Sequence, residues 1–279
     1  MSPWQSFLEA REIWQVPLTA SVIAGALLGA LGVYVVLRRT VFVSAALTQL
    51  STLGLVAALL VEERIHIETE QSGVQLAVAI AVSVAGALVL GAIRFRRLPA
   101  EAAVGGVWVV ASALVVLGAS LLAHAAHDLG GLVFGNAVAV PSSDLVIIAA
   151  VAAVCLLVHG FFAKELTFVS FDAETARALG VRVGLWDSLL FLTIGLAIPV
   201  TARALGALPV FAFLTLPAAA ALLGRAGYRA AFPVAAAIGV VAAGGGYVLS
   251  WLWEIPTGAT MVAIAGVILL PGAVIRLRG

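Results

Sequence analysis

The sequence predicts an all-α fold: a polytopic bundle of about nine transmembrane helices. Three observations point there. Of 279 residues, 63% are hydrophobic and only 10% are charged, against about 25% charged in an ordinary soluble domain. The mean hydropathy is +1.17. Apolar runs recur at about the 20 residues needed to cross a hydrocarbon core, and the 15 basic and 14 acidic residues gather mostly between them. This balance argues against a soluble enzyme, which needs charge to stay dispersed. The formal net charge of +1 offers no electrostatic footprint for nucleic acid.

Taken in order, the runs lie near 17–37, 41–61, 74–93, 102–123, 144–163, 185–202, 205–224, 230–253 and 257–275. The first follows Glu9, Arg11 and Glu12 rather than a basic start, so it reads as a true span and not a secretory signal. It carries Gly25 and Gly29, and the eighth carries Gly244, Gly245 and Gly246. Small residues let membrane helices approach closely. The seventh is interrupted by Pro209 and Pro217, and broken helices at membrane depth are tolerated where they pack inside protein or line a cavity. All nine belong to one transmembrane domain over residues 1–279. The lone cysteine, Cys155, forms no internal disulfide and is silent about redox compartment.

Cytoplasmic loops of membrane proteins carry an excess of Lys and Arg. Nine spans with the amino terminus outside and the carboxyl terminus cytoplasmic place Arg38, Arg39, Arg94, Arg96, Arg97, Lys164, Arg177, Arg182, Arg225, Arg229, Arg276 and Arg278 inside. That is 12 of the 15 basic residues. Arg11, Arg64 and Arg203 stay outside. Nine of the 14 acidic residues fall outside, either to attract cations or simply where basic residues are not. Arg203 stands at the outer end of the sixth span. It reads either as snorkelling to the headgroups or as pairing with an outer carboxylate such as Asp128 or Glu254.

The only lysine is Lys164, in Ala163-Lys164-Glu165, so no phosphate-binding loop is present. The chain also has no zinc-protease motif and no nucleophile elbow. A transport or channel role is therefore expected, with no catalytic residues of its own. The longest cytoplasmic connection spans about residues 164–184. Within it, Asp172 suits a helix N-cap, Glu174 the first turn, and Gly180 a left-handed helix end. A short surface helix of about two turns follows from those signals. It reads either as a plain linker or as an element that docks on a cytosolic partner.

The stretch SFDAETARALGV resembles the coupling region of the permeases of zinc/manganese/iron-type ABC importers, with Asp172, Ala176 and Gly180 at the matching positions. LGALPVFAFLTLPAAAALLGR resembles the family through Gly206, Pro217, Ala218 and Ala219, and IPTGATMVAIAGVILL through Pro256, Thr257 and Gly258. LLGALGVYVVLRRTVFVSAAL is similar to its first two spans, and the LVFG of residues 132–135 to an outer loop. The resemblance covers about residues 18–275. It implies a bacterial inner-membrane, multi-pass subunit that works as a permease homodimer or paired with a close relative. Two cytosolic ABC ATPase chains would carry the ATP and dock on Asp172, Glu174, Ala176 and Gly180. An extracytoplasmic binding protein would deliver a divalent metal, zinc or manganese. No cofactor is expected on this chain.

The family's second span begins Phe-x-Gly-Asp-x-x-x-His, whose Asp and His are associated with metal. Here the run is Phe42-Val43-Ser44-Ala45-Ala46-Leu47-Thr48-Gln49, with Ala45 for the Asp and Gln49 for the His. Asn136 replaces an acidic residue of the outer loop. Ser44, Ala45, Gln49 and Pro217 are the expected pathway positions. Ligands occur elsewhere. His124, His127 and Asp128 share a face if helical, and so do Glu62, Glu63, His66 and Glu70. Each set reads equally as an interfacial polar cap. His159, deep in an apolar span, reads as satisfied by a neighbour, although ionisable groups at membrane depth are costly. Three functions stay open: a divalent-metal permease, a permease for a metal chelate or another small solute, and a non-transporting membrane anchor or regulator.

Overall fold

The computed structural model describes residues 3–65, 72–92, 99–122, 140–224 and 227–277. Among them there is no strand. The helices are α1 (Pro3–Glu9), α2 (Arg11–Leu37), α3 (Val41–Ile65), α4 (Ser72–Ala92), α5 (Ala100–Leu121), α6 (Ser142–Phe161), α7 (Ala163–Phe171), α8 (Ala173–Ala178), α9 (Val183–Leu205), α10 (Ala207–Leu223), α11 (Tyr228–Trp253) and α12 (Thr257–Leu277). Every apolar run read from the sequence falls on one of these helices. α2, α3, α4, α5, α6, α9 and α11 are long and apolar enough to span a membrane, while α10 and the apolar part of α12 are shorter.

The seventh run is one unbroken helix despite its prolines. Pro209 sits in the first turn of α10, where its missing N–H has no intrahelical partner to lose. The break lies just before it. Gly206 has φ 88° and ψ 162°, a conformation essentially reserved for glycine, and it alone joins α9 to α10.

α2 is the central post of the bundle. Its Ala20, Ala24, Leu27, Leu28 and Leu31 are buried against α9, α10 and α11 in one core. Helix association within a membrane gains little from the hydrophobic effect and relies on close packing. Here packing is close enough that backbone touches backbone. A Cβ placed on Gly25 would lie 2.6 Å from the Gly239 carbonyl oxygen, and one on Gly239 would strike the Gly25 carbonyl in return. Gly29 faces the Ala235 carbonyl of α11, and Gly32 the Leu214 carbonyl of α10. The small-residue stripe of the first span thus meets Gly239 rather than Gly244–Gly246. Of those three, only Gly246 lies tightly packed, against Met261 of α12.

Around this centre α4, α5, α6 and α11 turn much of their surface outward. α1 folds back on the end of α11: Phe7 stacks on Trp14 at 4.5 Å and meets Trp251 edge-on at 5.9 Å. Aromatic rings of this kind favour the headgroup level of a bilayer.

Two ion pairs mark the opposite ends of α9. Arg38, Ser170 and Asp187 meet at one end. At the opposite end Arg203 meets Asp144 at 3.2 Å, with Asp144 buried. Of the readings for Arg203, pairing holds, and among the described residues Asp144 is a partner. Glu254 is exposed, and Asp128 lies outside the described residues. Asp144 stands in the first turn of α6 and Arg203 in the last turn of α9. Each charge therefore also sits at the favourable end of its helix dipole.

Candidate functional site: a docked surface helix and its anchor

The segment between α6 and α9 is more structured than a linker. Residues 164–171, expected as connection, form α7, leaving only Phe162 between it and α6. α8 then has the limits that its sequence signals predict. The Asp172 Oδ1 accepts from the Thr175 backbone N–H at 2.9 Å, and Oδ2 accepts from the Thr175 hydroxyl at 2.5 Å. Those two bonds lower the Asp172 pKa below its usual value, because they favour the carboxylate form. The cap is therefore intact at neutral pH, and it is lost only as pH falls through that lowered value.

At the other end Gly180 has φ +80°. The Val181 N–H donates to the Ala176 carbonyl at 3.0 Å and the Gly180 N–H to the Arg177 carbonyl at 3.1 Å. This pair of bonds is a Schellman closure, and its left-handed position suits glycine. Ala176 is fully buried with Val169 of α7 and Val183 of α9. Asp172, Glu174, Arg177 and Leu179 remain exposed. α8 is thus seated on the bundle by one face and bare on the other.

A charge holds that seat in place. Arg38, the C-cap of α2, pairs with Asp187 of α9 and donates from Nε to the Ser170 hydroxyl of α7 at 2.9 Å. Its side chain is 10% exposed and that of Asp187 20%, so the pair is largely out of water. α2 itself ends in a Schellman closure with Arg39 at φ 58°. The sequence showed Arg38 only as one of the charges of its end. Its partners lie 132 and 149 residues away.

The expected pathway residues occupy α3 and α10. Ser44 and Ala45 are buried and Gln49 half-buried. Ala45 and Gln49, four apart in one helix, share a face. The Ser44 hydroxyl donates to its own helix at the Val41 carbonyl (2.7 Å), and Thr48 does the same to Ala45 (2.7 Å). Pro217 is buried within α10. Pro256 and Thr257 lie at the turn into α12, where Ser250 and Thr257 share a hydrogen bond of 2.7 Å. The motif around them shapes that turn.

Among the described residues, no three His, Cys, Asp or Glu side chains converge to hold a metal. His66, His124, His127, Asp128, Glu70, Asn136 and the 132–135 motif lie outside the described residues. Glu62 accepts from the Gln75 amide at 2.8 Å, which ties α3 to α4. His159 has the expected neighbour: its Nε2 is 2.9 Å from the Thr193 hydroxyl.

The helical architecture has a solved counterpart. The PsaBC structure from Streptococcus pneumoniae in complex with Fab superposes with a TM-score of 0.81, at 23% identity, over 96% of this chain and 94% of that one. Among curated proteins, the manganese transport system membrane protein MntC of Halalkalibacterium halodurans is 27% identical over 90% of this chain and 83% of its own length. The manganese import system permease protein ScaB of Streptococcus gordonii is 24% identical over 92% and 88%. The ABC 3 transport family matches residues 10–276, from the start of α2 to the end of α12, and the chain belongs to that family.

Proposed function

We propose that this chain is the membrane-spanning permease subunit of a bacterial ABC importer for a divalent metal, manganese first among candidates. It works by ATP-driven alternating access, as a single transmembrane domain in a homodimer. The amino terminus is outside, the carboxyl terminus is cytoplasmic, and α10 and the apolar part of α12 cross with the seven longer helices. The ATP is bound by separate cytosolic subunits, and an extracytoplasmic protein delivers the metal. The observation that carries this reading is α8: a capped, closed helix with one buried face, one bare face and a charged anchor behind it. That is the form of a docking element. The relatives named for manganese transport support the cargo.

The test is direct. Glu174→Lys with Leu179→Asp reverses the bare face and leaves the Asp172 cap and Ala176 seat untouched. The variant is expected to fold normally and to lose at least tenfold in capture of the ATPase subunit. Undiminished capture refutes docking at α8.

Ser44, Ala45, Gln49 and Pro217 line the pathway in this proposal, and the outer ligands His66, His124, His127 and Asp128 gather metal at its mouth. A second reading is favoured by one observation. Ala45 and Gln49 supply neither carboxylate nor imidazole, and a neutral amide is a weak ligand for such a metal. A metal chelate needs no ligand there. In reconstituted vesicles with the ATPase, uptake of free manganese exceeding that of a manganese chelate supports the first reading, and the reverse supports the second. Gln49→Ala is expected to leave free-manganese uptake within about threefold, since a single weak neutral ligand is lost.

A further inference from the structure

The end of the bundle that carries α7 holds a cavity of about 860 Å³ among α2, α6, α7 and α11. That is within the size range of small-molecule sites. Its lining is mostly apolar. Phe168, Phe171, Tyr228 and Phe232 form one side, and Leu31 and Leu156 contribute aliphatic surface. Phe171 and Tyr228 meet edge-on at 5.3 Å and bridge α7 to α11.

Among the described residues only two charges border it, and both are positive: Lys164 and Arg229. Both are exposed. Arg229 lies over the Tyr228 ring at 5.9 Å and donates to its hydroxyl at 3.2 Å. Among the described residues, no carboxylate forms an ion pair with either cation. The wall is not sealed by packing either. A Cβ on Gly160, which lines the cavity, would meet nothing within 4 Å.

A largely apolar chamber with a two-cation rim is ill suited to a divalent metal: the rim repels the ion, and among the described lining residues His159 is the single strong ligand, too few to hold it. It suits an amphiphile with an anionic head. Basic pockets between transmembrane helices at the membrane surface bind such headgroups. The geometry points to a bound anionic phospholipid, its phosphate between Lys164 and Arg229 and an acyl chain in the cavity. The lipid would brace α7, the helix that leads into α8, against α11. The lining shares no residue with the proposed pathway positions Ser44, Ala45, Gln49 and Pro217, so the proposal stands or falls independently of the cargo.

The experiment is native mass spectrometry of the full-length permease, titrated with phosphatidylglycerol and, separately, phosphatidylcholine. Wild type is expected to retain phosphatidylglycerol in preference. Lys164→Gln with Arg229→Gln is expected to lower that affinity by roughly thirtyfold, about fivefold for each cation, and to leave phosphatidylcholine unchanged. Gly160→Leu fills the cavity from a position where its Cβ meets open space. It is expected to remove one bound phosphatidylglycerol with the thermal midpoint preserved. Equal retention of the two lipids by wild type overturns the proposal, as does undiminished phosphatidylglycerol binding in both variants. So does a shift from dimer to monomer in the variants with lipid binding intact, which would make this face a subunit interface.

Discussion

Arg38→Ala is expected to destabilise the permease by about 2–4 kcal/mol and to uncouple ATP hydrolysis from transport. Breaking a buried ion pair by removing one partner costs about 3–5 kcal/mol, because the other charge is left stranded. The lower figure allows for the one-fifth exposure of Asp187. The substitution also strips the Ser170 hydroxyl of its donor, so α7 loses its tie to α2. Thermal unfolding in detergent reads the stability, and vesicle transport with the ATPase reads the coupling. The double variant Arg38→Ala with Asp187→Leu removes the stranded carboxylate and is expected to recover much of the stability without recovering transport. A single-variant cost below about 1 kcal/mol, the level of an exposed pair, refutes this account of the anchor.

Gly239→Ala is expected to lower stability where Gly245→Ala does not. Replacing glycine by alanine inside a helix ordinarily gains roughly 0.5–1 kcal/mol. Gly245 is exposed, and a Cβ there would meet Ile264 Cδ1 at 3.5 Å, an ordinary contact. That variant should be neutral or better. At Gly239 the new methyl strikes the Gly25 carbonyl. Backbone cannot rotate away as a side chain can, so α11 must withdraw from α2, at about 1–3 kcal/mol for overpacking of this kind. Gly239→Val, with two further methyls, is expected to prevent recovery of monodisperse protein. Equal thermal midpoints for the two alanine variants would show that α2 and α11 have slack to give.

Local chemistry was legible in the sequence, and long-range partnership was not. The limits of α8 could be read because a capping aspartate and a closing glycine act within a turn of themselves. The apolar helices could be read because each needs only its own composition. The partners could not be read. Nothing local connects Arg38 to residues 132 and 149 positions away, or Arg203 to Asp144, 59 positions before it, which pairs with it. Gly239 stands alone in the sequence and its contact, Gly25, lies on another helix, so nothing local marks it. Helix α7 was missed because its weakly apolar stretch ends at a capping aspartate, which resembles a connection.

α9 is held by charge at both of its ends, by Arg38 near its start and through Arg203 at its finish, and one glycine with no spare residues passes the chain on to α10. A helix of 23 residues, about 35 Å at 1.5 Å per residue, fixed in this way has little freedom to slip in register, and Pro199 is the one place in it where a hydrogen bond is missing and bending is cheap. In the proposed importer, a stroke delivered beside α8 would reappear at the other end of α9 as a displacement of the α9–α10 corner. The timing of an outer gate there would then be set by linkage, with no diffusive relay between the two faces.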